Sequence, residues 1–262
     1  MSGPAKAAPA PAQPAPACPE RGPAPAAAAQ NAPAPAAAAQ NAPAPAAAAQ
    51  NPPAPAAAAQ NAPAPGSPQR VLLFGGTFDP PHAGHMHSLA AAIRAVKPHR
   101  VIVMPAGVPP HKAASATPGE WRAAMCQCFV PLFPGLEVSD WEIRGEGKSY
   151  TIDTVRMLAR RFAGAALYLC IGSDMLLTFT GWRCWRELLQ RAALVVQSRE
   201  REDGEALRAA AEALRAEGGR VLFTDAPALP MASSAIRAGG PGAPPLLPWV
   251  EQVARQHHLY GR

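Results

Sequence analysis

From residue 70 onward, short apolar runs alternate with amphipathic stretches. Residues 71–76 (VLLFGG) predict a buried strand, and residues 85–96 (HMHSLAAAIRAV) put Leu89, Ile93 and Val96 on one helical face. Residues 100–106 (RVIVMPA) predict a second strand, 119–130 (GEWRAAMCQCFV) a helix, and 136–143 (LEVSDWEI) alternate as an exposed edge strand does. A helix over 151–162 carries its basic residues late, as the helix dipole prefers. The run 166–172 (ALYLCIG) predicts a buried strand. Then follow a helix over 182–192, a strand over 194–198, a helix over 204–218, a strand over 220–226, and a helix over 247–260 with Pro248 in its first turn. Strands separated by helices predict an α/β fold with a doubly wound parallel sheet and right-handed crossovers. Ligands of such sheets bind beyond the carboxyl ends of the strands, where the strand order reverses.

Residues 1–69 follow another pattern. They are mostly Ala and Pro, with a ten-residue repeat (NAPAPAAAAQ and variants) across 21–65. The unit has no large apolar residue to stack on its neighbours, and its prolines interrupt each Ala run. The chain therefore divides into an expected disordered tail, 1–69, and one catalytic-sized domain, 70–262. The high hydrophobic fraction of 48% overstates the core, because much of it is tail alanine. Lys6, Glu20 and Arg21 give the tail +1 of the chain's +6, leaving a mild basic excess that suits anionic small substrates as well as nucleic acid. Five scattered cysteines without a C-x-x-C pair predict free thiols in a reducing cytoplasm. No apolar run approaches the ~18 residues of a membrane span.

The densest chemistry lies in residues 74–85, FGGTFDPPHAGH, between the first strand and the first helix. A P-loop would carry a lysine here, and this loop does not. Gly75 and Gly76 let the backbone approach a ligand, and Thr77 offers a hydroxyl and an N–H. Pro80 and Pro81 hold the helix start near Gly84 and His85. His85 then sits in the first turn beside open N–H groups, with His82 just ahead of it. Both rings can donate to one phosphate, and a histidine held there would tend to carry the charge that a lysine supplies elsewhere. Zinc is disfavoured, since no cysteine or carboxylate completes a ligand set. Asp79 is compatible with turn-shaping or with ligand contact.

This stretch resembles the (H/T)-x-G-H motif of the nucleotidylyltransferase superfamily, and four further matches point to the bacterial nicotinate-nucleotide adenylyltransferases. They are VPPHK (108–112), KSYTIDT (148–154), CIGSDMLLTFTGWRCW (170–185) and MASSAIRAG (231–239). The resemblance covers 70–262 and implies a Rossmann-like nucleotidylyltransferase fold. It implies ATP contacts from Gly75, Gly76, Thr77, Phe78, His82, His85, Gly172, Asp174, Ser233, Ser234 and Arg237. It also implies contacts to a nicotinate nucleotide from His111, Lys112, Tyr150, Thr151, Trp182 and Arg183. By residue chemistry alone, Ser149–Thr151 could cap the helix that follows, and Trp182 could pack in the core or stack on a flat ring. Ala232 and Ser234 depart from the family's I-S-S-T-x-I-R pattern, which removes one hydroxyl near the phosphates.

The implied reaction is attack of the 5′-phosphate of nicotinate mononucleotide on the α-phosphorus of ATP, with pyrophosphate leaving and no covalent intermediate. His82, His85, Lys112 and Arg237 are the expected catalytic residues. Mg²⁺ is the expected cofactor, held through the ATP phosphates rather than by protein ligands. The expected partners are these two small molecules, with no nucleic acid and no membrane, in a monomer or homodimer. Alternatives are an adenylyltransferase for nicotinamide mononucleotide or phosphopantetheine, or a non-catalytic ATP-binding relative.

Overall fold

A computed structural model describes residues 63–64, 66–110, 115–197 and 204–262, and the structural statements below concern these. The tail reading falls almost wholly outside them, as do His111 and Lys112.

Six strands form one all-parallel sheet: β1 (Arg70–Gly76), β2 (Arg100–Pro105), β3 (Leu136–Val138), β4 (Ala166–Gly172), β5 (Ala192–Gln197) and β6 (Val221–Phe223). Their order is β3-β2-β1-β4-β5-β6, so the chain winds outward from β1 in one direction and then outward from β4 in the other. The reversal lies between β1 and β4, where Phe74 pairs with Cys170. Gly75, Gly76 and Gly172 therefore reach the same edge of the sheet, which is where the α/β rule places a ligand.

Nine helices accompany the strands among the described residues. They are α1 (Ala83–Val96), α2 (Gly119–Met125), α3 (Trp141–Arg144), α4 (Thr151–Arg161), α5 (Ser173–Leu177), α6 (Trp185–Arg191), α7 (Gly204–Ala216), α8 (Ser233–Ala238) and α9 (Pro248–Gln256). The strands are apolar throughout because helices cover both faces. Leu72, Phe74, Val101 and Val103 pack with Leu89 of α1 on one face, while Val71, Leu73, Ile102 and Met104 pack with Ile152 and Val155 of α4 on the other. A third apolar cluster joins α2, α8 and α9 through Met125, Ile236, Val250 and Val253.

Several predicted elements change: of the strand over 220–226 only Val221–Phe223 pairs with β5, and the helix over 247–260 ends at Gln256. The alternation over 136–143 is not one strand: only Leu136–Val138 pairs with β2, and Trp141–Arg144 form a single helical turn with Asp140 as its N-cap. The helix over 119–130 tightens after Met125 into a 3-10 segment, Cys126–Leu132, that contains Pro131. Pro131 has no N–H to extend an α-helical ladder. The helix over 182–192 begins only at Trp185, because Phe179–Gly181 form a 3-10 turn and Cys184 adopts a left-handed backbone with φ of 55°. The free-thiol expectation holds for Cys126, Cys128 and Cys170, whereas Cys184 is disulfide-bonded. Among the described residues, no helix is long and apolar enough to cross a membrane.

Candidate active site

The turn that follows β1 is shaped by Phe78. Its backbone is left-handed, with φ of 51°, and its ring folds back into the core against Phe74, Phe129 and His85. A Cβ on Gly76 would lie 2.9 Å from that ring, so only glycine fits there. The Phe78 side chain is 2% exposed, so the expected ATP contact of this residue is restricted to its main chain. Gly75 is exposed at the sheet edge and Thr77 is half-buried. The Thr77 carbonyl is occupied by Arg122, as described below.

His82 and His85 make a reciprocal cap at the start of the 14-residue helix α1. The Nδ1 of His82 accepts the backbone N–H of His85, and the Nδ1 of His85 accepts that of His82, each at 3.3 Å. The rings stack with centroids 3.7 Å apart. This is a capping box built from imidazoles instead of Ser and Glu. An Nδ1 that accepts a hydrogen bond carries no proton, so each ring proton sits on Nε2. In this geometry the pair presents its Nε2 N–H groups at a helix N-terminus. The glycine of the motif also has a steric reason. A Cβ on Gly84 would sit 3.0 Å from the His82 ring and 3.3 Å from the Met231 Cβ.

The serine-rich helix α8 is fastened onto the same loop. Ser233 Oγ donates to the Pro80 carbonyl at 2.9 Å, and Arg237 donates to the Asp79 carbonyl. Ser233 therefore spends its proton on the loop, while the Ser234 side chain is exposed. The Arg237 guanidinium also lies 4.0 Å from the Asp79 carboxylate and remains 43% exposed, which leaves it able to meet an anion.

Asp79 is the residue that sequence reasoning left open, and it is a hub. It is 6% exposed, and its carboxylate accepts from Ser115 at 2.5 Å and from Tyr260 at 2.6 Å. Burial pushes its pKa up, but the hydrogen bonds from Ser115, Thr117 and Tyr260 and the charge of Arg237 outweigh it, so the carboxyl is held below its ordinary value. Burial and the neighbouring Asp79 push the Tyr260 phenol well up, so it stays a donor. Arg122, 3% exposed, binds three carbonyls: Thr77 at 2.8 Å, Ala106 at 2.7 Å and Thr117 at 3.2 Å. Arg122 shares the buried side of α2 with Met125, and a cation on an apolar face is the signal that could have found it. Tyr260 carried no such signal.

Across the strand reversal the chemistry becomes aromatic. Asp174 is exposed in the first turn of α5, directly after Gly172. Trp182 lies in the connection ahead of α6, not at its start, half-buried against Phe179 at 5.3 Å between ring centroids. Arg183 stacks its guanidinium 4.6 Å above the Tyr150 ring. Tyr150 is the N-cap of α4, and neither Ser149 nor Thr151 caps that helix with its side chain. Ser149 instead gives its backbone N–H to Val108 at 2.8 Å, which ties this segment to the loop after β2. The structure therefore unites Tyr150 with Arg183, and His82 and His85 with Ser233 and Arg237. Cys170, buried between β1 and β5, has its thiol pushed up to about 12 by burial, so it supplies no thiolate.

Residues 73–239 match the cytidylyltransferase-like family. A protein of Symbiobacterium thermophilum named "Probable nicotinate-nucleotide adenylyltransferase" is 37% identical over 203 residues, covering 74% of this chain and 96% of its own length. One of the same name from Acidithiobacillus ferrooxidans is 35% identical over 181 residues, covering 64% of this chain and 83% of its own. The solved structure of Plasmodium falciparum nicotinic acid mononucleotide adenylyltransferase complexed with APC superposes with a TM-score of 0.58 over 74% of this chain and 98% of that one. At 15% identity that likeness speaks for the fold alone. With the paired histidines, the strand reversal and the α8 clasp already in place, the chain belongs to the nicotinate-nucleotide adenylyltransferases of the cytidylyltransferase-like family.

Proposed function

We propose that this protein transfers the adenylyl group of ATP to nicotinate mononucleotide, releasing pyrophosphate and forming deamido-NAD. The observation that carries the reading is the His82–His85 pair, with both ring protons on Nε2, at the N-terminus of α1 beside the strand reversal. An acceptor 5′-phosphate oxygen attacks the α-phosphorus of ATP in line. A P–O bond forms there as the bond to the β-phosphate oxygen breaks, and the electron pair leaves with pyrophosphate. The nucleophile is already an anion, so the protein's work is positioning and charge stabilisation.

The two Nε2–H groups and the helix N-terminus donate to phosphate oxygens whose charge grows in the transition state. Arg237 would meet the leaving pyrophosphate, with Ser234 beside it. Lys112 is assigned there on its motif match alone. The main chain at Gly75, Gly76, Thr77, Phe78 and Gly172 admits the nucleotide, and Asp174 can accept from ribose hydroxyls. Trp182 would stack on the pyridine ring, with the N–H groups of Thr151 and Arg183 turned to its carboxylate and Tyr150 backing Arg183.

Mg²⁺ fits this donor set as part of the ATP complex. Among the described residues, no group of three or more His, Cys, Asp or Glu comes together, so its ligands would be phosphate oxygens and water. Bound there, it supplies electrostatic stabilisation of the phosphates. A cytoplasmic location, where ATP is abundant, belongs to the same reading.

The test is pyrophosphate release with ATP, Mg²⁺ and each of three acceptors: nicotinate mononucleotide, nicotinamide mononucleotide and phosphopantetheine. The expected result is the highest kcat/KM for nicotinate mononucleotide. A higher value for either other acceptor reassigns the substrate, and no release with any of the three overturns enzymatic adenylyl transfer.

A further inference from the structure

The chain around Asp79 is held from two sides. Its main chain anchors α8, through Arg237 on the Asp79 carbonyl and Ser233 on the Pro80 carbonyl. Its side chain is held by residues distant from it in sequence. Tyr260 donates to one carboxylate oxygen at 2.6 Å and Ser115 to the other at 2.5 Å. Thr117 closes the ring, giving its hydroxyl to Tyr260 at 3.3 Å and its backbone N–H to Ser115 at 3.3 Å. Arg122 then joins the Thr117 carbonyl to those of Thr77 and Ala106. The network links the turn after β1, the segment before α2, and the chain beyond α9.

Tyr260 is the least replaceable member by position. It lies 181 residues from Asp79 in sequence. Its backbone is left-handed, with φ of 58°, an unfavourable conformation for a tyrosine that the surroundings must hold in place. Leu259 beside it donates to Ala254 at 2.8 Å, closing the end of α9, and both residues pack on the α2–α8–α9 cluster. The ring is therefore held by packing, while the hydroxyl alone reaches Asp79.

We propose that Tyr260 is a positioning residue for the transfer reaction: through Asp79 its hydroxyl holds the main chain of residues 77–82 where His82, His85 and Arg237 converge. The proposal rests on the functional reading above for its kinetic consequence, but not for the coupling itself. Displacing a reacting group by about an ångström can cost on the order of 10²-fold in rate. Loss of one remote tether should cost less, about tenfold.

The test uses the full chain carrying Tyr260→Phe, which keeps the ring and its packing and removes only the hydroxyl. Kinetics are run well below each variant's Tm. The expected result is about a tenfold fall in kcat, with the KM for nicotinate mononucleotide within twofold of wild type, since Trp182 and Thr151 lie across the strand reversal. Ser115→Ala should lower kcat in the same way, and the double variant should fall less than the product of the two. Hydrogen exchange tests the coupling without turnover: peptides covering 76–79 and 115–121 should exchange about tenfold faster in Tyr260→Phe. Unchanged kcat overturns the positioning role, and so does a loss that disappears on cooling, which marks a purely structural effect. Unchanged exchange overturns the coupling. If wild-type protein itself transfers nothing to nicotinate mononucleotide, the functional reading fails, and the exchange experiment still decides the network.

Discussion

The candidate site residues on the two sides of the strand reversal are held by different physics. On the β1 side, charged and polar groups are tied by directed bonds: the reciprocal histidine cap, Arg237 on Asp79, Arg122 on three carbonyls, and the Tyr260–Asp79–Ser115 ring. On the β4 side the directed bonds, such as those from buried Arg156 to Glu187, tie α4 to α6, and the candidate ring-binding residues instead lean as flat surfaces: Trp182 on Phe179, and Arg183 on Tyr150. Directed bonds fix donor positions to fractions of an ångström, which in-line transfer at phosphorus requires. Aromatic packing fixes a plane and tolerates sliding, which suits recognition of a flat ring. On the proposed function, chemistry and selectivity would fall to different sides, and mutations should separate them into kcat and KM effects.

The sharpest way to break this division is His85→Ala. It removes a preorganised donor and should lower kcat by about 10² or more. It also removes one half of the cap, a loss of about 1 kcal/mol that thermal denaturation should report as a small fall in Tm. A folded variant with wild-type turnover would sink the mechanism. Next comes Trp182→Ala, expected to raise the KM for nicotinate mononucleotide about tenfold, for the lost stacking contact, while kcat changes little. If kcat fell and KM stayed, Trp182 would belong to the chemistry and the division would be wrong.

Gly84→Ala probes the β1 side by crowding. The new methyl would press on the His82 ring at 3.0 Å and on Met231 at 3.3 Å, although alanine favours the helix by about 1 kcal/mol. Steady-state kinetics should show a fall in kcat of roughly threefold to tenfold, with little change in Tm. Unaltered kcat would show that the histidine pair tolerates displacement.

The mildest effect concerns acid. The Asp79 carboxyl is held below its ordinary value, so the stability it contributes is fully present above the unfolded pKa of about 3.9 and is lost as pH falls through its lower folded value. The Tm difference between wild type and Asp79→Asn should be widest above about pH 4 and should close below it. A difference that stays constant down to about pH 2 would mean that ionisation of Asp79 does not contribute.

Local pattern made most of the sheet legible, because buried parallel strands such as VLLFGG and ALYLCIG are short apolar runs with glycine at their ends. It failed where one pattern served two structures. Leu136, Val138, Trp141 and Ile143 suggested a single alternating strand, but pairing stops at Val138 and a helical turn takes the rest. Within the site, the histidines and the α8 serines were found from motif and placement. What each does locally was not. The Ser233 proton turned inward to Pro80, the Phe78 ring turned into the core, and the histidine Nδ1 atoms went to backbone N–H groups. These are choices among partners that only three-dimensional placement settles. Tyr260 was beyond reach for a related reason, since a contact 181 residues away in sequence leaves no periodicity to read, whereas Arg122 was signalled by a cation on an apolar helix face although its carbonyl partners were not.

The contact between Asp79 and Tyr260 also places assembly of the site in time. Residues 70–105 supply both innermost strands of one half-sheet and the whole FGGTFDPPHAGH loop, yet the carboxylate at the base of that loop waits for a hydroxyl 181 residues downstream. At about 5–20 residues per second of synthesis, that is roughly ten to forty seconds on the ribosome. Through that interval Asp79 is a buried acid in the making with one of its donors still untranslated. A nascent chain halted before Tyr260 would present the histidines without the brace beneath them, so the loop's support is complete only once Tyr260 has been made.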